Sequence, residues 1–321
     1  MRCAGIDVGG GGIRVLVREG ARLTEVAEDV LAPRGDTGMD LSALAVRLSA
    51  LLARTVETTG AVRPGFDRVA IGLTGLPDLI PDPGELARRL RDRTPVETVV
   101  IAADAVTTHV GALGGRTGVV VAAGTGVVAL GTDLDRTWSR SDGWGILLGD
   151  HGGGAWVGRE GLQAALRAKD GRSGGSAPLL TGLTARFGDA GALEHRVYGA
   201  SAGAAASVLA TFAPDVAAAA RAGDPVAARI WWEAGTHLGR AAVAAAAPGL
   251  ERRFSWGGGL FAVGELVLGP LRTEVLRTLP EARFSAPEGG SVEGALTLAE
   301  TVPARRPPHL FVFERSDPAR P

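Results

Sequence analysis

The sequence is poor in cysteine, lysine, aromatic residues and net charge, and each scarcity removes a class of function. Cys3 is the single cysteine in 321 residues, so no intramolecular disulfide and no cysteine cluster for zinc or iron–sulfur is available. It lies in the first apolar run, where a small core residue is expected. Lys169 is the only lysine and stands in no Gly-Lys-Ser/Thr setting, which excludes a P-loop enzyme. The formal net charge is −1 and no long basic run occurs, so the clustered cations that a phosphate backbone demands are missing. The N-terminal apolar run is interrupted at Asp7, too early for a secretory signal core. The Ala-rich stretches 202–220 and 241–247 are short or broken by Pro214, Asp215 and Pro248, so neither reads as a membrane span. A cytoplasmic protein with no nucleic-acid and no membrane partner is expected.

The chain is long enough for two domains, and 45% hydrophobic against 21% charged residues predicts a sizeable core. The opening reads as strand (2–7), Gly turn (9–12), strand (13–18). Leu41, Leu44, Ala45, Leu48, Leu51 and Leu52 recur at helical spacing, and Gly60 stands where a helix C-cap belongs. Strands follow at 68–73 and 96–103, separated by a helix at 85–93. The second strand ends at Asp104, and a short helix covers 105–113. The opening pattern then returns as strand (118–123), Gly turn (124–126), strand (127–131). Residues 155–250 read as mostly helical. A strand at 253–256 runs into Gly257-Gly258-Gly259, and helix (264–279), strand (282–285) and closing helix (291–301) complete the body. The repetition predicts two similar α/β lobes. The Pro- and Arg-rich tail, 303–321, is expected to dock loosely, with 309–314 as a possible edge strand.

Three glycine turns follow apolar strands: Gly9-Gly10-Gly11-Gly12, Gly124-Thr125-Gly126 and Gly257-Gly258-Gly259. Backbone N–H groups in such turns can hold phosphate, because glycine lets the chain approach closely. Residues 124–129 match a relaxed dinucleotide fingerprint, but 127–131 continues as a strand instead of the helix that fingerprint requires.

These segments, in this order, resemble the actin/hexokinase/Hsp70 superfamily. Within it they look most like the N-acetylglucosamine kinases and the related activator ATPases of benzoyl-CoA reductase and 2-hydroxyacyl-CoA dehydratases. Gly5-Ile6-Asp7-Val8-Gly9-Gly10 resembles the first phosphate motif. Ala103-Asp104-Ala105 resembles the connecting segment with the catalytic Asp, and Ala123-Gly124-Thr125-Gly126 the second phosphate motif. Trp256-Gly257-Gly258-Gly259-Leu260-Phe261 resembles the adenosine motif. The most family-specific segment is Gly143-Trp144-Gly145-Ile146-Leu147-Leu148-Gly149-Asp150-His151-Gly152, similar to the GWG…GDEG signature of N-acetylglucosamine kinases.

The resemblance implies two ribonuclease-H-like lobes with an interlobe cleft: 1–114 completed by a C-terminal helix at 289–302, and 115–288. It implies ATP and Mg²⁺ as cofactors, a small-molecule sugar as partner, and a homodimer. Asp104 would be the general base and Asp7 the Mg²⁺ residue. Gly9, Gly10, Gly11, Gly12, Thr125 and Gly126 would clasp the phosphates, and Gly257, Gly258 and Gly259 would face adenosine. Asp36, Thr74, Gly75, Gly143, Trp144, Asp150, His151 and Gly154 would form the sugar site. A carboxylate accepts two hydroxyl bonds at once, which suits Asp150 to a vicinal diol.

Four positions depart from the family pattern. Gly11 and Gly12 fill a region that normally carries Thr, and Val127 replaces a frequent Ser. His151 stands where relatives carry Glu, and the loop Pro33-Arg34-Gly35-Asp36-Thr37-Gly38 lacks a sugar-binding Asn. Three functions compete on this basis. An amino-sugar kinase fits all five segments. An activator ATPase needs two cysteines per subunit for its shared cluster, and Cys3 alone does not supply them. A catalytically weak sugar or nucleotide sensor fits the missing hydroxyls.

Overall fold

The computed structural model describes residues 1–9, 12–30, 32–35, 38–59, 65–76, 80, 82–302 and 309–315. In chain order the strands are β1 (Arg2–Gly9), β2 (Gly12–Glu19), β3 (Arg22–Glu28), β4 (Arg34–Gly35), β5 (Gly38–Met39), β6 (Phe66–Leu73), β7 (Val96–Ala103), β8 (Gly118–Ala123), β9 (Val127–Thr132), β10 (Trp138–Ser141), β11 (Arg253–Gly257), β12 (Arg283–Phe284) and β13 (Leu310–Glu314). The helices are α1 (Leu41–Thr59), α2 (Pro83–Arg91), α3 (Asp104–Leu113), α4 (Gly154–Lys169), α5 (Ala177–Phe187), α6 (Ala190–Tyr198), α7 (Ala202–Ala210), α8 (Ala213–Arg221), α9 (Pro225–Ala245), α10 (Glu265–Thr278) and α11 (Ser291–Thr301).

The chain divides into two compact units. One comprises 1–120, 132–138 and 286–321; the other comprises 121–131 and 139–285. Each unit is built of both helices and strands. The first sheet runs β13-β7-β6-β1-β2-β3 and the second β10-β9-β8-β11-β12. Without β13, the two orders are the same: three consecutive strands laid side by side, then two later ones added beside the first of the three. The recurrence of strand, glycine turn and strand in the sequence therefore reflects a repeated sheet topology.

In the first sheet β1 pairs parallel with β6, and β6 parallel with β7. Hydrophobic runs bury both faces of these strands, as parallel strands require: Ile6, Ile71 and Ile101 on one face and Cys3, Ala70 and Val100 on the other are 0–1% exposed. The helical spacing at 41–52 holds, with Leu44, Ala45, Leu48, Leu51 and Leu52 all buried on one face of α1. Residues 310–314 take the edge-strand alternative. β13 pairs antiparallel with β7, from Leu310 opposite Ala102 to Glu314 opposite Thr98, and the Arg91 guanidinium donates to the Phe313 carbonyl. The strand covers an edge that would otherwise expose unpaired backbone groups.

The sequence reading did not anticipate β3 and β10. The solvent-facing alternation of β3 leaves it few buried residues of its own, and β10 has only four residues. Residues 203–221 reach the length and hydropathy of a membrane span, but they fold as α7 and α8 with a break at Thr211 and Phe212.

Candidate functional site

The candidate site residues fall into two sets, one in each unit. In the first unit the register aligns Asp7 with Gly72, Val8 with Leu73, and Leu73 with Ala103. The carboxyl ends of β1, β6 and β7 therefore lie side by side, and each ends in a predicted site residue or runs into one. Ligand sites of parallel sheets form at such carboxyl ends. Asp7 and Gly9 close β1, Thr74 and Gly75 follow β6, and Asp104 follows β7 as the first residue of α3. The Thr74 N–H donates to the Val8 carbonyl at 3.1 Å, tying the β6 end to β1. Gly9 pairs with Gly12 across the β1–β2 turn. Gly10, Gly11 and Asp36, which the sequence also points to, lie outside the described residues.

Asp104 is half-buried at the start of α3, where free helix N–H groups favour a negative side chain. Asp7 is held differently. Its Oδ1 accepts a hydrogen bond from Ser291 Oγ at 2.7 Å. Burial raises the Asp7 carboxyl above the usual range, and the Ser291 bond and the Arg14 charge oppose that rise.

In the second unit the turn Gly124-Thr125-Gly126 is seated on the start of α4. The Gly124 and Thr125 carbonyls accept from the Gly154 and Ala155 N–H groups at 2.8 and 2.9 Å. Gly154 is buried beneath the turn, and its N–H is used there. β9 follows the turn directly, so the dinucleotide alternative has no helix to stand on. Gly257 ends β11. Gly258 has φ 101°, and a Cβ on it would collide with the Ala123 carbonyl, so only glycine fits where β11 meets β8. Gly259 opens a 3₁₀ turn over Gly259–Val263, beside which Trp256 and Phe261 pack with ring centroids 6.2 Å apart.

The segment 142–154 is organised by two aspartates with left-handed backbones, Asp142 (φ 65°) and Asp150 (φ 56°). Asp142 Oδ1 accepts the Gly143 N–H at 2.8 Å and the Asp150 N–H at 2.7 Å, clasping the two ends of the loop. Asp150 approaches Gly126 so closely that a Cβ there would meet its Oδ2. Burial raises the Asp150 carboxyl, and the Val127 N–H, donating to it, opposes that rise. The Asp150 carboxylate thus touches the turn 124–126.

Arg140 donates to the Gly143 carbonyl at 2.7 Å and lies 5.3 Å from the Trp144 ring. Trp144 remains 67% exposed, and Leu147 and Leu148 are each 82% exposed, an unusual surface for three large apolar side chains. His151 is exposed and packs at a tilt against His237 of α9, with ring centroids 5.3 Å apart and planes 40° from parallel; His237 in turn meets Trp156 edge-on. Burial, with His151 beside it, holds His237 below the ordinary imidazole range.

Sequence reasoning missed Ser291, Thr107, Asp142, Arg140 and His237. Only Asp142 left a signal, an Asp-Gly pair directly before the Trp. A cavity of about 310 Å³ in the first unit, lined by Val106, Val110, Leu134, Trp138, Leu298 and Leu310, contains none of the predicted residues and no carboxylate.

Residues 4–287 match the BadF/BadG/BcrA/BcrD ATPase family. A segment of 104 residues is 30% identical to the N-acetylmuramic acid/N-acetylglucosamine kinase of Clostridium acetobutylicum, covering 32% of this chain and 34% of that protein. Another, of 53 residues, is 47% identical to the N-acetyl-D-glucosamine kinase of Dictyostelium discoideum, covering 16% of this chain and 17% of that one. The aligned segments thus span about a third and a sixth of these relatives. Among solved structures, a candidate N-acetylglucosamine kinase of Chromobacterium violaceum superposes with a TM-score of 0.68 at 27% identity, covering 93% of this chain and 98% of that one. The two-lobed α/β architecture is the one expected of actin/hexokinase-type kinases.

Proposed function

The chain belongs to the BadF/BadG/BcrA/BcrD ATPase family, and from that premise we propose that it is an ATP-dependent kinase that phosphorylates a hydroxyl, O6 in our reading, of an amino sugar such as N-acetylglucosamine. The observation that carries the proposal is the alignment of Asp7, Thr74 and Asp104 at the carboxyl ends of three adjacent parallel strands. In this reading Asp104 would be the base and Asp7 the cation-facing carboxylate, and the glycine turns and the Asp142–Asp150 loop would take the phosphates and the sugar hydroxyls that phosphoryl transfer requires. In this reading the sugar hydroxyl attacks the γ-phosphorus and the bond to the ADP oxygen breaks. The hydroxyl proton passes to the Asp104 carboxylate. The Thr125 and Gly126 N–H groups would face the phosphates, and Asp150 would orient ring hydroxyls.

Among the described residues no group of three or more His, Cys, Asp or Glu forms a metal cage. Mg²⁺ does not require one, because it binds through one or two carboxylates and the substrate phosphates. Asp7 fits that role, with Oδ1 held by Ser291 and Oδ2 on the side of Gly9. When bound, the ion would neutralise charge on the phosphates.

The activator-ATPase alternative needs accessible cysteines, and Cys3 is 1% exposed within β1. The kinase reading makes the protein cytoplasmic and homodimeric, with a sugar as its small-molecule partner and no nucleic-acid or membrane partner. The deciding experiment is ADP release over a panel of hexoses and amino sugars. Sugar-dependent release is expected, and Asp104→Asn should reduce kcat about 10²- to 10⁴-fold while sugar binding survives. Sugar binding without turnover would favour the sensor, and near-normal turnover in Asp104→Asn would remove Asp104 from the mechanism.

A further inference from the structure

Inside the first unit, hydrogen bonds of the Ser291 and Thr107 hydroxyls run from the Asp7 carboxylate to the backbone carbonyl of Asp104. Ser291 is the first residue of α11 and lies 284 positions from Asp7. Its Oγ donates to Asp7 Oδ1 at 2.7 Å. A serine hydroxyl has one proton, so the contact of 2.7 Å between Thr107 Oγ1 and Ser291 Oγ must be donated by Thr107. The same Thr107 Oγ1 also lies 3.0 Å from the Asp104 carbonyl, which can only accept, so the single Thr107 proton is shared between that carbonyl and Ser291 Oγ. Thr107 therefore touches both the residue that carries the base and the serine that grips Asp7.

Glycine contacts fix the geometry of these bonds. α3 and α11 meet so closely that a Cβ on Gly294 would strike the Thr107 carbonyl, and one on Gly111 would strike the Gly290 carbonyl. Where α11 meets β1, a Cβ on Gly5 would strike the Leu296 backbone. The Glu293 carboxylate accepts the Gly290 N–H at 2.8 Å and steadies the turn that delivers Ser291. The Ser291 hydroxyl consequently has little freedom to leave Asp7. A Cβ built on Gly9 would sit 3.7 Å from Asp7 Oδ2, so the oxygen that Ser291 leaves open lies on the side of the β1–β2 turn.

We propose that Ser291, supported by Thr107, is a positioning residue for Asp7, turning the carboxylate so that Oδ2 is presented to the divalent cation that accompanies the nucleotide phosphates. The inference rests on the nucleotide half of the proposed function and is independent of the sugar.

The test is calorimetric titration of the full-length protein with ATP, without sugar, in EDTA and across a range of free Mg²⁺. Ser291→Ala should reduce the Mg²⁺-dependent gain in ATP affinity about tenfold, the scale of one lost charge-assisted hydrogen bond, and leave the affinity in EDTA unchanged. Ser291→Thr keeps the hydroxyl and should restore most of the gain. A merely structural serine would lower the melting temperature without altering the Mg²⁺ response, and a wild-type Mg²⁺ response in Ser291→Ala overturns the proposal. If Ser291→Ala fails to fold, Thr107→Val removes only the supporting donor, and a wild-type response there overturns it equally. Mg²⁺-dependent ATP binding without phosphorylation of any sugar would defeat the kinase reading alone. A wild-type protein that binds no nucleotide would defeat both.

Discussion

His109 makes the helix that begins at Asp104 sensitive to acid. It is fully buried in α3. Its Nε2 lies 3.1 Å from the Gly118 carbonyl, and its Nδ1 has no hydrogen-bond partner among the described residues. Donation from Nε2 makes the neutral ring the stable form, and a second proton on Nδ1 would find no acceptor. Burial lowers its pKa from 6.5 to about 4, and the bond to Gly118 opposes the shift only in part. Because the folded value is the depressed one, the neutral ring's contribution to stability is fully present above the unfolded pKa near 6.5. It is lost as the pH falls through about 4. At about 1.36 kcal/mol per pKa unit, the loss amounts to about 2 kcal/mol at pH 5 and about 3 kcal/mol at pH 4, against a total stability of about 5–15 kcal/mol. Urea unfolding of wild type and His109→Gln between pH 7.5 and 4 measures it. Glutamine keeps an N–H for Gly118 and cannot charge, so the stability gap between the two proteins should move in the variant's favour by about 3 kcal/mol as the pH falls. Curves that stay parallel over this range would refute the reasoning.

Two further outcomes concern the loop 142–154. Asp142→Gly accepts the left-handed backbone and removes only the carboxylate that clasps Gly143 and Asp150, so the sugar KM should rise about tenfold with little change in melting temperature; an unchanged sugar KM would show that the clasp does not organise the site. Asp150→Ala should raise the sugar KM by about ten- to a hundredfold and the ATP KM far less, because a buried carboxylate–hydroxyl bond is worth about 1.5–3 kcal/mol; steady-state kinetics with each substrate varied in turn checks it, and equal effects on both would assign Asp150 to the phosphate turn that it touches.

The backbone of both sheets was legible because its signals are local. Apolar runs of strand length and glycine turns between them marked β1, β2, β6–β9 and β11, and leucines at helical spacing marked α1. β3 escaped because its residues alternate toward solvent, and β10 because four residues carry no pattern above noise. The tail was read as loose on composition, yet Leu310 and Val312 are buried against β7. A five-residue strand within a Pro- and Arg-rich segment is stabilised by the edge it completes, and that edge is invisible from the tail's own sequence.

The site was legible to the extent that its chemistry lies in the backbone. Glycines leave a mark where few other residues can replace them, as at Gly12, Gly126 and Gly258, where a Cβ would collide with a neighbour. The groups that hold the carboxylates leave no such mark. Ser291 and Thr107 are ordinary helix residues in sequence, and nothing connects Ser291 to Asp7 until α11 is laid against α3 and β1. Yet Asp7 and Asp150 share one physical problem: burial disfavours the charge that each needs for its proposed work. Each is supported by hydrogen-bond donors, the Ser291 hydroxyl for Asp7 and the Val127 and Gly145 N–H groups for Asp150. The donors hold particular carboxylate oxygens and oppose, without overcoming, the rise that burial imposes. In the first unit the motif identifies the carboxylate, and Ser291, far outside that motif, holds one of its two oxygens.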